Sequence, residues 1–169
     1  MAAYEFRHIV GFGETSLVGN VYFSHYFDWQ GRCREGFLRD HCPEVLTLLT
    51  QREIAFFTRS AHCDFVGEWG FHGLDEVLVH MRLSRFRGGR MSLDFTYTNA
   101  ARPDEVVARG SQDVSCKIQR DGHWYPDPFP VPMVKALQIY ADTPELLAAL
   151  KDALEFHDQR LGQSGAKEG

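Results

Sequence analysis

The sequence predicts an α+β domain in which an antiparallel sheet wraps around one long buried helix. Three observations carry this expectation. A proline-free stretch from about Val21 to His41 repeats aromatic and apolar residues at helical spacing. From Val77 onward the chain switches to alternation, the period of strands. Two of the alternating runs flank a turn built on Gly88-Gly89. At 169 residues the chain fits one domain with a real core. Residues 1–161 are read as that domain and Gly162 to Gly169 as a disordered tail.

Tyr4 to Phe12 reads as the first strand, followed by a turn-like segment ending at Asn20. Tyr22, Tyr26, Trp29, Cys33 and Phe37 then recur at steps of four, three, four and four, which is one helical face. Phe23, Phe27, Arg34 and Leu38 occupy adjoining faces, so the helix is expected to be buried and central. Pro43 closes it, and Pro43 to Gln51 can form a short second helix. Ile54 to Phe65 is a strand with Ala55-Phe56-Phe57 as its apolar centre. Val77 to Ser84 and Met91 to Thr98 alternate on either side of the hairpin, and Val106 to Ile118 alternates again. Asp127 to Pro132 is too rich in proline for the interior of a strand or helix. Thr143-Pro144-Glu145 reads as an N-cap, a first-turn proline and an acidic first turn, with Leu147, Leu150 and Leu154 continuing the helix.

Composition and missing motifs exclude several function classes. A net charge of −5 argues against nucleic acid as the main partner. No run approaches the roughly 18 to 20 apolar residues that span a bilayer. The start of the chain lacks the basic and apolar blocks of a signal peptide, so a cytoplasmic protein is expected. Cys33, Cys42, Cys63 and Cys116 are widely spaced and read as free thiols. His41-Cys42 and His62-Cys63 lack zinc-site spacing, so no metal is expected. There is no G-x-S-x-G elbow, no phosphate-binding loop and no dinucleotide fingerprint, so no cofactor is expected either.

What remains is Glu14 to Leu38, which runs from a turn into the buried helix. Such a helix start offers free N–H groups and the positive end of the dipole to a developing oxyanion. The segment resembles the hotdog thioesterases of the 4-hydroxybenzoyl-CoA thioesterase type, with D-x-D-x-x-G-x-V-Y-x-x-x-Y ahead of an A-R-x-E-like helix. It is more similar still to the enediyne-polyketide thioesterases, which carry E-T-N-L-V-G-N-V-Y and W-Q-G-R-C-R-E. The likeness covers residues 4 to about 140, most specifically Thr15, Leu17 to Tyr22, Tyr26 and the unbroken Trp29 to Glu35. Gly110-x-Gln112-x-Val114-x-Cys116 matches a weaker late-strand signature.

The resemblance implies a single hotdog domain that hydrolyses acyl thioesters, forms a homodimer or a dimer of dimers, and holds its sites at the subunit seam. By matching position, the Phe23 N–H polarises the thioester carbonyl, and Arg34 gives a fixed positive charge to the oxyanion or a β-keto oxygen. Tyr26 hydrogen-bonds the water or the substrate, and Ser16 positions rather than ionises. Ser16 stands where general hotdog thioesterases of this type keep an Asp and the enediyne relatives an Asn, which leaves the general base unidentified. Asn20, Trp29, Thr58, Ser60 and Arg90 are expected substrate contacts, although Asn20 also reads as a turn residue. Phe23, Trp29, Phe56 and Phe57 suit an apolar tunnel. Arg85, Arg87 and Arg90 suit phosphopantetheine or an acidic acyl carrier protein, or simply a solvated face. Tyr26 also reads as a core tyrosine, and Arg34 and Glu35 as ion-pair partners. Ser24 and His25 point about 100° apart on a helix and make a poor catalytic pair. The implied substrate is a polyene-like β-keto chain on a carrier protein. The alternatives are a general acyl-CoA thioesterase and a module that binds acyl thioesters without cleaving them.

Overall fold

The computed structural model describes residues 3–67 and 70–165, with side chains as far as residue 160. Six strands form one antiparallel sheet. They are β1 (Tyr4–Ile9), β2 (Ile54–Phe65), β3 (Glu76–Arg87), β4 (Arg90–Asn99), β5 (Arg102–Arg120) and β6 (His123–Pro126). The order across the sheet is β1-β3-β4-β5-β2, and β6 folds back on the end of β5. The long helix α1 (Ser24–His41) lies on one face, followed by α2 (Pro43–Thr50). The chain finishes with α3 (Val131–Gln138) and α4 (Pro144–Gly165). A curled antiparallel sheet around one buried helix is the hotdog arrangement.

The helical stripe holds α1 in place. Trp29 and Cys33 have no exposed surface and Phe37 has 1%, and all three pack on the inner face with Val79, Phe95 and Tyr97. Tyr22 precedes the helix and is half-exposed, so it does not belong to that stripe. Alternation sets the sheet: Ala108, Gln112, Val114 and Cys116 point inward and are buried, while Arg109 and Asp113 point outward. At the β3–β4 hairpin Arg87 pairs with Arg90, and only Gly88 of the two glycines takes positive φ, at 53°.

Three expectations change. The first strand ends at Ile9, and Phe12–Glu14 is a short 3₁₀ turn. The proline-rich stretch continues into α3, because its Pro132 falls in the first turn, where a missing N–H removes no intrahelical bond. Met133, Val134 and Leu137 then close the core. The tail expected from Gly162 is helical as far as Gly165, and residues 166–169 lie outside the described residues.

Candidate active site at the start of helix α1

A cavity of about 400 Å³ opens where the turn meets α1. Ser16, Asn20, Phe23 and Tyr26 line it, with Phe65 and Val107 opposite. The turn is tied locally: Ser16 Oγ donates to Asn20 Oδ1 at 2.5 Å, and Ser16 N–H donates to the Asn20 carbonyl at 2.7 Å. Thr15 bridges Val21, and Asn20 bridges His72. Asn20 is thus both a turn residue and part of the wall.

Phe23 caps α1, and its N–H has no acceptor among the described residues. The Tyr26 ring is buried against Trp29, Phe65, Phe71 and Tyr97. Burial pushes its phenol up to about 12, partly offset by a hydrogen bond from the Phe71 backbone. It therefore meets a ligand as a neutral hydroxyl. Among the described residues that line the cavity there is no carboxylate and no imidazole.

Behind the cavity sits a brace that sequence reasoning missed. The Glu14 carboxylate accepts from Gly11 N–H at 2.8 Å and from Trp29 Nε1 at 3.0 Å, and pairs with His8 Nε2 at 2.7 Å. Burial pushes the Glu14 carboxyl up, but these hydrogen bonds outweigh it and hold it below the usual carboxylate range. Trp29, expected to touch substrate, has no exposed surface and supports the wall from inside.

Arg34 lies elsewhere on the same helix. Eleven residues separate it from Phe23, roughly 16 Å of helix at 1.5 Å per residue. Its Nη1 donates to Thr58 Oγ1 and to Gln112 Oε1, each at 3.1 Å. Burial pushes the guanidinium below its ordinary value, opposed by Glu35, and no carboxylate pairs with it among the described residues. It remains a charged group, since arginine does not deprotonate in proteins. Gln112 was visible in the late-strand signature, but not as its partner.

Thr58 and Ser60, two residues apart, would share a face on a regular strand. A bulge between them turns Thr58 inward, opposite Val114, and Ser60 outward, opposite Asp113. Ser60 Oγ donates to Asp113 on the outer face, away from α1. Phe57 also faces outward, against Trp124 and under Lys117, whereas Phe56 packs inward on Phe129. Arg90 stands at the hairpin end of the sheet, paired with Ser115, eight positions along β5 from Val107 and roughly 25 Å from the cavity. The expected site residues therefore fall into a cavity group (Ser16, Asn20, Phe23, Tyr26), a β2-edge group (Arg34, Thr58), an outer group (Ser60, Arg90) and a core residue, Trp29. The four cysteines are free.

The family model of the thioesterase-like superfamily matches residues 10–150. The structure resembles the dynemicin thioesterase, with TM-score 0.78 and 42% identity, over 84% of this chain and 99% of that one. It also resembles a 1,4-dihydroxy-2-naphthoyl-CoA thioesterase from Synechocystis, with TM-score 0.71 and 19% identity, over 80% of this chain and 96% of that one. A gentisyl-coenzyme A thioesterase gives TM-score 0.65 and 20% identity, over 79% and 98%. At those lower identities the likeness is one of fold. No curated protein sequence matches. A sheet curled around α1, an open cavity at the helix start and a family match over most of the chain lead to one assignment: the chain belongs to the thioesterase-like superfamily and is a thioester hydrolase.

Proposed function

We propose that the chain hydrolyses a long, polyene-like β-keto acyl chain from the phosphopantetheine arm of an acyl carrier protein in enediyne-type polyketide biosynthesis. The observation that carries this is the cavity itself. It combines an unpartnered helix-start N–H with apolar rings and a neutral phenol, and its described lining offers no acid or base. Water attacks the carbonyl, the Phe23 N–H holds the oxyanion, and the tetrahedral intermediate collapses with loss of thiolate. The proton that water gives up goes to solvent, and the thiolate takes one back. A freed β-keto acid loses CO₂ without help from the protein. The dynemicin thioesterase, whose crystal structures concern polyene binding, supports the choice of chain.

The reading includes a homodimer that pairs further into a dimer of dimers. β2 is one of the two edges of the sheet and the longer one, twelve residues and mostly exposed, and an open edge of that length pairs readily. Arg34 is too far along α1 to touch a carbonyl held at Phe23 of its own chain. It abuts Thr58 on that edge, so it serves the cavity of the second chain across the seam. No described helix is long and apolar enough to cross a membrane, and the reading places the reaction in the cytoplasm.

Thiol release from acyl-carrier and acyl-CoA substrates tests this. Preference for the carrier-bound chain supports it, equal use of both favours a general acyl-CoA thioesterase, and tight binding without release leaves a module that only binds. Co-expression of Arg34→Ala with Tyr26→Ala chains tests the shared site. Recovery of activity in the mixed dimer is expected, and no recovery returns Arg34 to its own chain.

A further inference from the structure

Two bulges build a second feature on the outer face of the sheet, remote from the cavity. One falls at Arg59, between Thr58 and Ser60 in β2, and the other at Ser84, between Leu83 and Arg85 in β3. Each extra residue flips the strand beyond it, so Ser60 and Arg85 both turn outward where an unbroken strand would turn them in. The register aligns them in one row across four strands: Arg85 opposite Ser92, Ser92 opposite Asp113, Asp113 opposite Ser60. Asp113 is fixed in the middle, with Ser92 Oγ donating at 2.6 Å and Ser60 Oγ at 2.8 Å. Those two hydrogen bonds, with Arg85 and Arg59 acting through space, hold its carboxyl below the ordinary range.

Arg59, Arg85, Arg87 and Arg90 line a hollow of about 230 Å³ around this carboxylate. All four are exposed, and none has a carboxylate within ion-pairing distance among the described residues. Four cations around one anion make a strongly positive patch on a chain of net charge −5. From β3 to β2 the row spans three strand spacings, about 14 Å. That is too wide to wrap one phosphate, and the central carboxylate repels a compact dianion. Spaced carboxylates on a protein surface fit between such cations without meeting Asp113.

We propose that this row, with Arg59 and Arg85 at its flanks, docks an acidic surface of the acyl carrier protein. The proposal rests on the carrier-bound reading above. Electrostatic contacts of this type act on association rate and salt dependence more than on chemistry. Arg59→Glu with Arg85→Glu is therefore expected to lower kcat/KM for the acyl-carrier substrate on the order of tenfold or more. Its salt dependence should weaken, while kcat and the hydrolysis of acyl-CoA stay within about twofold. Arg85→Gln, which only removes a charge, should fall between this variant and the wild type.

The outcomes separate the alternatives. An equal loss with acyl-CoA makes the hollow a phosphate subsite and overturns protein docking. A shift in oligomeric state by light scattering makes the face an interface between copies of this chain, with the same effect. Carrier preference that survives charge reversal sinks the docking row and leaves the function standing. A wild-type protein with no carrier preference withdraws the carrier reading itself.

Discussion

The two ends of helix α1 are built in opposite ways. At the C-terminal end, Tyr4 Oη donates to Asp40 at 2.6 Å, and the Tyr140 hydroxyl and His41 Nε2 lie 2.8 Å apart. The rings of Tyr4, Phe37, His41 and Tyr140 meet with centroids 5.3 to 6.2 Å apart, mostly edge to face. Cys42 and Val45 are fully buried beside them. At the N-terminal end, Tyr22 and Phe23 are each 53% exposed, and the turn beside them bares Leu17 and Val18. One end satisfies its polar groups and fills its space; the other leaves a donor and apolar surface open. The difference teaches that one helix can anchor a core at its tail and still offer preorganised charge at its head, where a carbonyl can use it.

The largest effect should come from breaking the closed end. Phe37→Ala empties a site with 1% exposure and is expected to cost about 3–5 kcal/mol of stability. Urea unfolding measures this, and turnover per folded molecule should stay near wild type. A large loss of turnover in the folded protein would show that the two ends are coupled. Arg34→Ala attacks function instead. Because no described carboxylate pairs with the guanidinium, its removal strands no buried charge, and Thr58 and Gln112 can take water. We expect kcat to fall on the order of 100-fold, with the melting temperature almost unchanged.

Glu14 tests whether the open end depends on its brace. In Glu14→Gln an amide N–H₂ must take the place of Oε2 and face Gly11 N–H, or of Oε1 and face Trp29 Nε1–H, so one hydrogen bond is lost at a cost of about 1–3 kcal/mol. The sign of the pH effect follows from its lowered pKa. The folded state binds this proton less well than the unfolded chain, whose glutamate titrates near 4.3. The stabilisation is complete above that value and disappears as pH falls through the lower folded value. Wild-type protein should therefore lose more stability than Glu14→Gln below about pH 4. Parallel acid-denaturation curves would remove Glu14 as the brace.

Periodicity made much of this molecule legible. The helical stripe placed α1, alternation placed β3 to β5, and Ile54 and Phe65 bound β2 as expected. Prolines hid α3, because a proline in the first turn resembles one in an interior until the helix start is known. β6 was missed although Asp121-Gly122, with φ of 50° and 77°, is a hairpin signal. In the site, local sequence placed the cavity group, since Ser16 to Tyr26 is one continuous segment. Trp29 was misplaced because an aromatic at helical spacing reads alike whether it faces a cavity or the core. Ser60 was misplaced because a single bulge reverses its face, and Arg90 because its distance from the cavity along the sheet depends on a strand register that no propensity announced.

The smallest effect is expected at Tyr26, a polar side chain shared by the open end and the core. Its hydroxyl faces the cavity, while its ring packs on four others. Tyr26→Phe keeps the ring and removes one neutral hydrogen bond, worth about 0.5–1.5 kcal/mol, so kcat/KM should fall less than about tenfold. With the phenol pushed up to about 12, it stays protonated throughout the range in which thioesters are assayed. Its removal should then leave the shape of the pH–rate profile unchanged. A profile that loses an ionisation in Tyr26→Phe would mean that the phenol acts as the base, and that the open end does carry a titrating group.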